Sequence, residues 1–206
     1  MFEVEFYSLA DGTKPVGQFI KSIEDDKLRA KVIRSIKLLE TFGSELRMPE
    51  SKHIENGIYE LRTIQSNNIV RCLYFFYTGK KIIVTNGWIK KTKKTPPEEI
   101  ELAKARRVIM SRDTKKTSDI DELLQEELKN PSFAKAWEET ELEDQVKRML
   151  IQARIDSGLT QKELAAKSGI RQSNISRIEN GDCVPTLTTL HAIARGTGRR
   201  LKIEMV

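Results

Sequence analysis

Side-chain chemistry needs nucleophiles, bases or metal ligands at workable spacing, and this chain of 206 residues offers few. Its two histidines, His53 and His191, and its two cysteines, Cys72 and Cys183, lie far apart and form no ligand pattern. No Ser-His-Asp set and no phosphate-cradling glycine loop is present, so neither metal nor cofactor is expected. What the first half offers is cations. Lys52 and His53 precede a strand-like run, 57–64, that carries Arg62; Arg71 opens the next run; Lys90, Lys91, Lys93 and Lys94 follow the last. If these strands are neighbours, the cations converge. A sheet lined with Arg and Lys suits RNA, where it can hold phosphates and stabilise the phosphorane formed by 2′-hydroxyl attack. Arginine does not serve readily as a base, so the proton must go to a Lys, His or Tyr of shifted pKa, with His53 a candidate by type. The same residues also read as ordinary solvated charges.

A second set lies in 159–181, LTQKELAAKSGIRQSNISRIENG. Thr160 with Glu163 three residues on forms a capping-box pattern. Gly169 falls where the chain must turn sharply. Ile175 and Ile178 give the following helix an apolar stripe, while Arg171, Gln172, Ser173, Asn174, Ser176 and Arg177 are polar and can reach base edges in a major groove.

Charge organises the chain around these sets. Residues 1–112 hold 21 Lys and Arg against 14 Asp and Glu, residues 113–146 hold 4 against 11, and residues 147–206 hold 11 against 5. Basic domains prefer polyanions. The acidic stretch between them reads either as a solvated linker or as a built-in competitor for one basic surface. No apolar run reaches the length of a membrane span, and the N-terminus has no basic-then-apolar signal form, so a reducing cytoplasmic setting is expected.

The elements that must position these residues read as follows. Residues 2–7 alternate as a strand. Helical spacing covers 14–23 and 25–42, the second with Leu28, Val32, Ile36 and Leu39 on one stripe and Arg29, Lys31, Arg34 and Lys37 over the rest. A loop through Met48-Pro49 leads to strands over 57–64, 69–77 and 81–89, linked by hairpin signals. Pro96-Pro97 start a helix running to about Met110. The order β-α-α-β-β-β-α predicts an α+β domain with a small antiparallel sheet over 1–112. An acidic helical segment follows over 113–143, with Leu123, Leu124, Leu128, Phe133 and Trp137 as its apolar contacts. An all-α domain occupies 144–206 and closes on a terminal strand, 200–206. Trp88 and Trp137 read as packing residues, and His191 as a core or interface histidine.

The run GIYELR at 57–62, the run beginning at Arg71 (RCLYFF) and the ending GWIKKTKKTPPEEIELAKARR at 87–107 resemble the HigB branch of the RelE-like toxins, ribosome-dependent messenger-RNA endonucleases. The resemblance implies a RelE-like fold and A-site messenger cleavage. It assigns Arg62, Arg71 and Lys90 or Lys91 to a cationic site and supports Lys93 and Lys94 as RNA contacts; His53 as a catalytic candidate and Lys52 as an RNA contact rest on residue type and position alone. Residues 113–206, through SDIDELL and FAKAWEE, resemble HigA antitoxins with a Cro/repressor-type (XRE) helix-turn-helix. That implies a phosphate contact from Gln161, groove contacts from Arg171, Gln172, Ser173, Ser176 and Arg177, further DNA contacts from Lys162 and Asn174, and a homodimer on operator DNA. Such toxins and antitoxins are generally separate chains, and Met110 lies where a separate antitoxin could begin.

The expectation is therefore a toxin–antitoxin fusion whose acidic helices pack on the toxin. Two rivals are a transcription regulator with a silent N-terminal domain and an active nuclease that uses its C-terminal half only as inhibitor.

Overall fold

The computed structural model describes residues 1–90, 94–110 and 119–204, so Lys91 and Lys93 of the expected site lie outside the described residues. The chain divides into two compact units, Met1–Thr140 and Glu141–Val206.

In the first unit, β1 (Glu3–Phe6) leads to α1 (Pro15–Lys21) and α2 (Asp26–Phe42), then β2 (Ser51–Glu55), β3 (Ile58–Gln65), β4 (Asn68–Tyr77), β5 (Lys81–Ile89) and α3 (Pro97–Ile109). The Asp25 side chain accepts the Lys27 and Leu28 amides and so starts α2. Pro96-Pro97 start α3, with Glu98 and Glu99 in its positive first turn. Strands are ordered β1-β5-β4-β3-β2. The sheet is mixed rather than antiparallel, because β1 runs parallel to β5 at one edge. Strand β2 at the other edge lies where the sequence predicts a loop: its sequence, SKHIE, is short and polar, as an edge strand can be. The β3–β4 hairpin turns on two residues, Ser66-Asn67.

Alternation gives the sheet two covered faces. One packs on α3, through Ile58, Leu73, Phe75, Ile83 and Ala103. The other meets α1 and α2. Gly87 sits where α1 comes closest, since a Cβ there would stand 2.8 Å from the Phe19 ring and 3.0 Å from the Cys72 sulfur. Burial pushes the Cys72 thiol up to about 12, so it is inert packing.

Two acidic helices belong to this unit: α4 (Asp119–Glu127) and α5 (Pro131–Glu139). Asn130 ends one and caps the other, accepting the Ser132 amide at 3.0 Å. They pack on α2 and β1.

The second unit holds α6 (Glu141–Asp156), α7 (Gln161–Ser168), α8 (Gln172–Asn180) and α9 (Leu187–Gly196) around Leu150, Leu164, Ile175, Ile178 and Ile193. The terminal strand is not formed over 201–204, and 205–206 lie outside the described residues. His191 is exposed, not a core histidine. No helix among the described residues is long and apolar enough to cross a membrane.

Candidate functional site

Register brings two of the expected cations together. Arg62 of β3 and Arg71 of β4 are direct partners, and Trp88 of β5 faces Arg71 in turn. Directly opposed residues share a face, so all three lie on the α3 side of the sheet. Between the arginines stands a residue that the sequence reading passed over, Glu60, fully buried at 0 % exposure. Its Oε1 accepts Arg62 Nε at 2.6 Å and its Oε2 accepts Arg71 Nη1 at 2.8 Å. Thr95, just before α3, donates its hydroxyl to the same Oε2 and accepts Arg71 Nη1 at 2.6 Å. Burial pushes the Glu60 carboxyl up, but hydrogen bonds from Thr95 and Arg62 and the two guanidinium charges outweigh it, holding the group below the usual carboxylate range.

The arginines differ in access. Arg71 is only 5 % exposed. Arg62 keeps 24 % of its side chain open, and among the described residues its Nη1 reaches no closer partner than the Met48 sulfur at 3.9 Å. Arg62 can therefore grip an incoming phosphate directly, whereas Arg71 requires Thr95 to move aside.

The remaining expected residues separate. His53 is the β2 partner of Tyr59 and touches its ring, 5.1 Å between centroids, which puts it on the face opposite Arg62 and Arg71. One residue of offset along a strand reverses the face, so His53 does not join the cationic pair. Tyr74 shares the His53 side, and burial raises its phenol pKa, which removes it as a proton acceptor at neutral pH. Lys52 opposes Glu60 and stays exposed on the arginine side. Lys90, two residues beyond Trp88, is half-buried, and Lys94 is exposed.

The acidic helices do not cover this cluster. They lie over a different basic surface. Lys14 of the α1 N-cap pairs with Asp119, Lys21 with Glu126 at 2.7 Å, Lys27 with Glu139 at 2.7 Å, and Lys37 with Asp121. Arg29 meets Glu127 at 2.7 Å, and Arg34 lies 3.7 Å over the Trp137 ring while donating to the Trp137 carbonyl at 2.7 Å. Arg29 and Arg34, which sequence spacing put among the solvated residues of α2, are buried by this contact. Asp119 also accepts the Phe6 amide at 2.7 Å, capping edge strand β1. Phe133 is fully buried, Leu123 and Leu124 are buried, and Leu128 and Trp137 are half-buried. Exposed ion pairs contribute about 0–1 kcal/mol each. Burying one large apolar side chain contributes about 1.5–3 kcal/mol. The apolar residues therefore supply the larger share of the attachment, and the charges fix its register.

Lysine hydrogen bonds hold the Glu126 and Glu139 carboxyls below their ordinary value of 4.5. A carboxyl depressed in the folded state stabilises fully above its unfolded pKa and loses that contribution as pH falls through the folded one. Attachment of α4 and α5 is thus expected to be insensitive to pH near neutrality and to loosen only as pH falls below the ordinary carboxyl value of 4.5. Amide exchange in α4 and α5, followed against pH, checks this; loosening near pH 6.5 would contradict it.

In the second unit the capping box at Thr160 and Glu163 is present, and Gly169 takes the left-handed conformation (φ 74°) that the turn requires. On α8, Arg171 at the N-cap, Gln172, Ser173, Asn174 and Arg177 are exposed and Ser176 is half-buried; Lys162 is exposed on α7. Gln161 departs from the expected phosphate contact. It is only 9 % exposed, donates to Glu179 at 2.8 Å and accepts Gln172 Nε2 at 2.9 Å. Through the second bond it ties the start of α8 to α7 at Gln172. Glu179 is held on its other side by Arg154, at 2.7 and 2.9 Å, a buried pair that sequence spacing does not reveal.

A mixed sheet carrying a clustered arginine pair, and a compact helical unit presenting a polar helix, define two classes of domain. Residues 18–108 match the family described as phage derived protein Gp49-like, and residues 150–202 match the helix-turn-helix family. The chain thus carries a segment similar to the Gp49-like family and one similar to the helix-turn-helix family, and the second similarity supports DNA binding. No curated protein matches the chain.

Proposed function

We propose that this chain is a toxin–antitoxin fusion of the HigB/HigA type, in which an RNA endonuclease domain is silenced by its own acidic helices and the helix-turn-helix unit binds operator DNA as a homodimer, repressing its own transcription. The observation that carries this reading is the set of charge pairs and apolar contacts by which α4 and α5 attach to the α1–α2 face of the Gp49-like domain. A solvated linker would need no matched partners for Lys14, Lys21, Lys27, Arg29 and Lys37.

The placement corrects the simplest picture of silencing. The acidic helices leave the Arg62 side of the sheet uncovered and neutralise a separate basic face. Inhibition then acts by denying that face to a polyanionic substrate assembly, messenger RNA on the ribosome, rather than by plugging the site. Cleavage itself would use Arg62, with Arg71 behind it, to hold the scissile phosphate and stabilise its developing charge.

The burial of Arg71 beneath Thr95 favours a second reading, in which the N-terminal domain is catalytically silent and serves assembly. The deciding experiment is a ribosome-dependent cleavage assay on chains whose acidic helices are detached by Phe133→Ala. Messenger cleavage is expected, and adding Arg62→Ala should lower it about 100-fold. Absence of cleavage by the detached chain would leave the assembly reading.

A further inference from the structure

Glu60 is a costly residue to bury. A carboxylate at 0 % exposure is tolerated only when paired and hydrogen-bonded on every side, and here Arg62, Arg71 and Thr95 take both oxygens. A carboxylate held this way is a poor proton acceptor, since three donors, two of them cationic, already stabilise its charged form. Its geometric effect is different. By accepting Arg62 through Nε and Arg71 through Nη1, it sets the two guanidinium groups side by side and leaves the outer nitrogens of Arg62 toward solvent. Its electrostatic effect is to reduce the local charge of the pair from two to one.

These effects act in opposite directions on binding and on turnover. A bare pair of arginines would grip any RNA phosphate strongly in the ground state, and such uniform binding does not raise turnover. Fixed orientation serves the transition state, where negative charge on the phosphoryl oxygens increases. We propose that Glu60 is the positioning residue of this site: it aligns Arg62 and Arg71 for one RNA phosphate and weakens their ground-state hold on it, with the Thr95 hydroxyl occupying the place on Arg71 that the phosphate takes. The inference rests on the endonuclease reading above, in that the ligand is an RNA phosphodiester.

The test uses the full chain carrying Arg171→Ala and Arg177→Ala, so that the recognition helix does not retain RNA. Affinity for a single-stranded RNA oligonucleotide is measured across salt concentrations. Glu60→Gln keeps the shape and removes the charge. It is expected to bind about tenfold tighter at low salt, with a log–log salt slope steeper by about 0.7, one further phosphate contact. Adding Arg62→Ala should abolish the gain. Thr95→Ala, which removes one acceptor from Arg71 and leaves Glu60 in place, should shift affinity the same way and covers the case in which Glu60→Gln fails to fold. In the cleavage assay with Phe133→Ala, Glu60→Gln should lower KM and kcat together, whereas a purely structural lesion would weaken binding. Folded Glu60→Gln and Thr95→Ala chains that bind RNA no tighter than the parent overturn the assignment, as does a gain that survives Arg62→Ala. If Arg62→Ala alone lowers RNA binding while Glu60→Gln brings no gain, the Glu60 role fails and the endonuclease reading stands. If Arg62→Ala changes neither binding nor cleavage, both fail.

Discussion

Replacing Arg154 by alanine is expected to destabilise the C-terminal unit by about 3–5 kcal/mol, the cost of stranding a buried charge. Arg154 is 6 % exposed and Glu179 1 % exposed, so removing the guanidinium leaves a carboxylate in the core with Gln161 as its remaining side-chain donor. The unit is small and its core is the cluster of Leu150, Leu164, Ile175, Ile178 and Ile193 with a few buried neighbours, so a loss of this size is comparable to the whole stability expected of such a domain. The effect reaches function through α8. Glu179 lies near the end of that helix, and Gln172, at its start, is held by Gln161, which Glu179 holds in turn. DNA binding should therefore disappear along with the fold. Replacing both partners by leucine should recover much of the stability, because no charge is then stranded. Urea denaturation followed in the C-terminal unit, with a gel-shift assay on the chain's own upstream DNA, checks both statements. An Arg154→Ala chain within about 1 kcal/mol of the parent would show the pair to be energetically idle.

The second large effect is expected at Phe133. Its ring is fully buried between α5 and the domain it grips, with the Arg29 guanidinium 5.1 Å from its centre. Truncation to alanine removes apolar burial and leaves a cavity, at a cost of about 3–5 kcal/mol. The surrounding ion pairs are mostly exposed and recover little of that. Tethering to the same chain gives the acidic helices a millimolar-range effective concentration, so detachment is a shift in population rather than complete release. A loss of several kcal/mol is large enough to move that population toward the open state. Induction of the Phe133→Ala chain should then arrest cell growth, and adding Arg62→Ala should restore it. Faster amide exchange in α4 and α5 without growth arrest would uncouple attachment from silencing.

Much of this was legible in the residues alone, and the boundary has a physical cause. Thr160 with Glu163, Gly169 and the stripe through Leu28, Val32, Ile36 and Leu39 were readable because caps, turns and helix faces depend on neighbours within about four positions. The β3–β4 hairpin was legible from alternation and turn signals, whereas the Arg62–Arg71 register was not, because it depends on how many residues the turn takes. Strand β2 was missed because a polar edge strand carries little periodic signal, and the parallel β1–β5 pairing because it joins residues nearly 80 positions apart. For Glu60 the available signal was an acidic residue at an inward position of an alternating strand, two before Arg62.

Sequence by itself determined the basic–acidic–basic order, the helix-turn-helix and the strands that carry the arginines, since each is set by local composition and spacing. Only the tertiary structure decided which cations face one another, that Glu60 and Glu179 sit at the centres of buried networks, and that α4 and α5 cover the α1–α2 face rather than the arginine pair. Charges attract without direction over a Debye length, so a charge count can match two surfaces. Which surface is chosen depends on where the apolar side chains of α4 and α5 find a complementary surface, and that is a property of the folded domain.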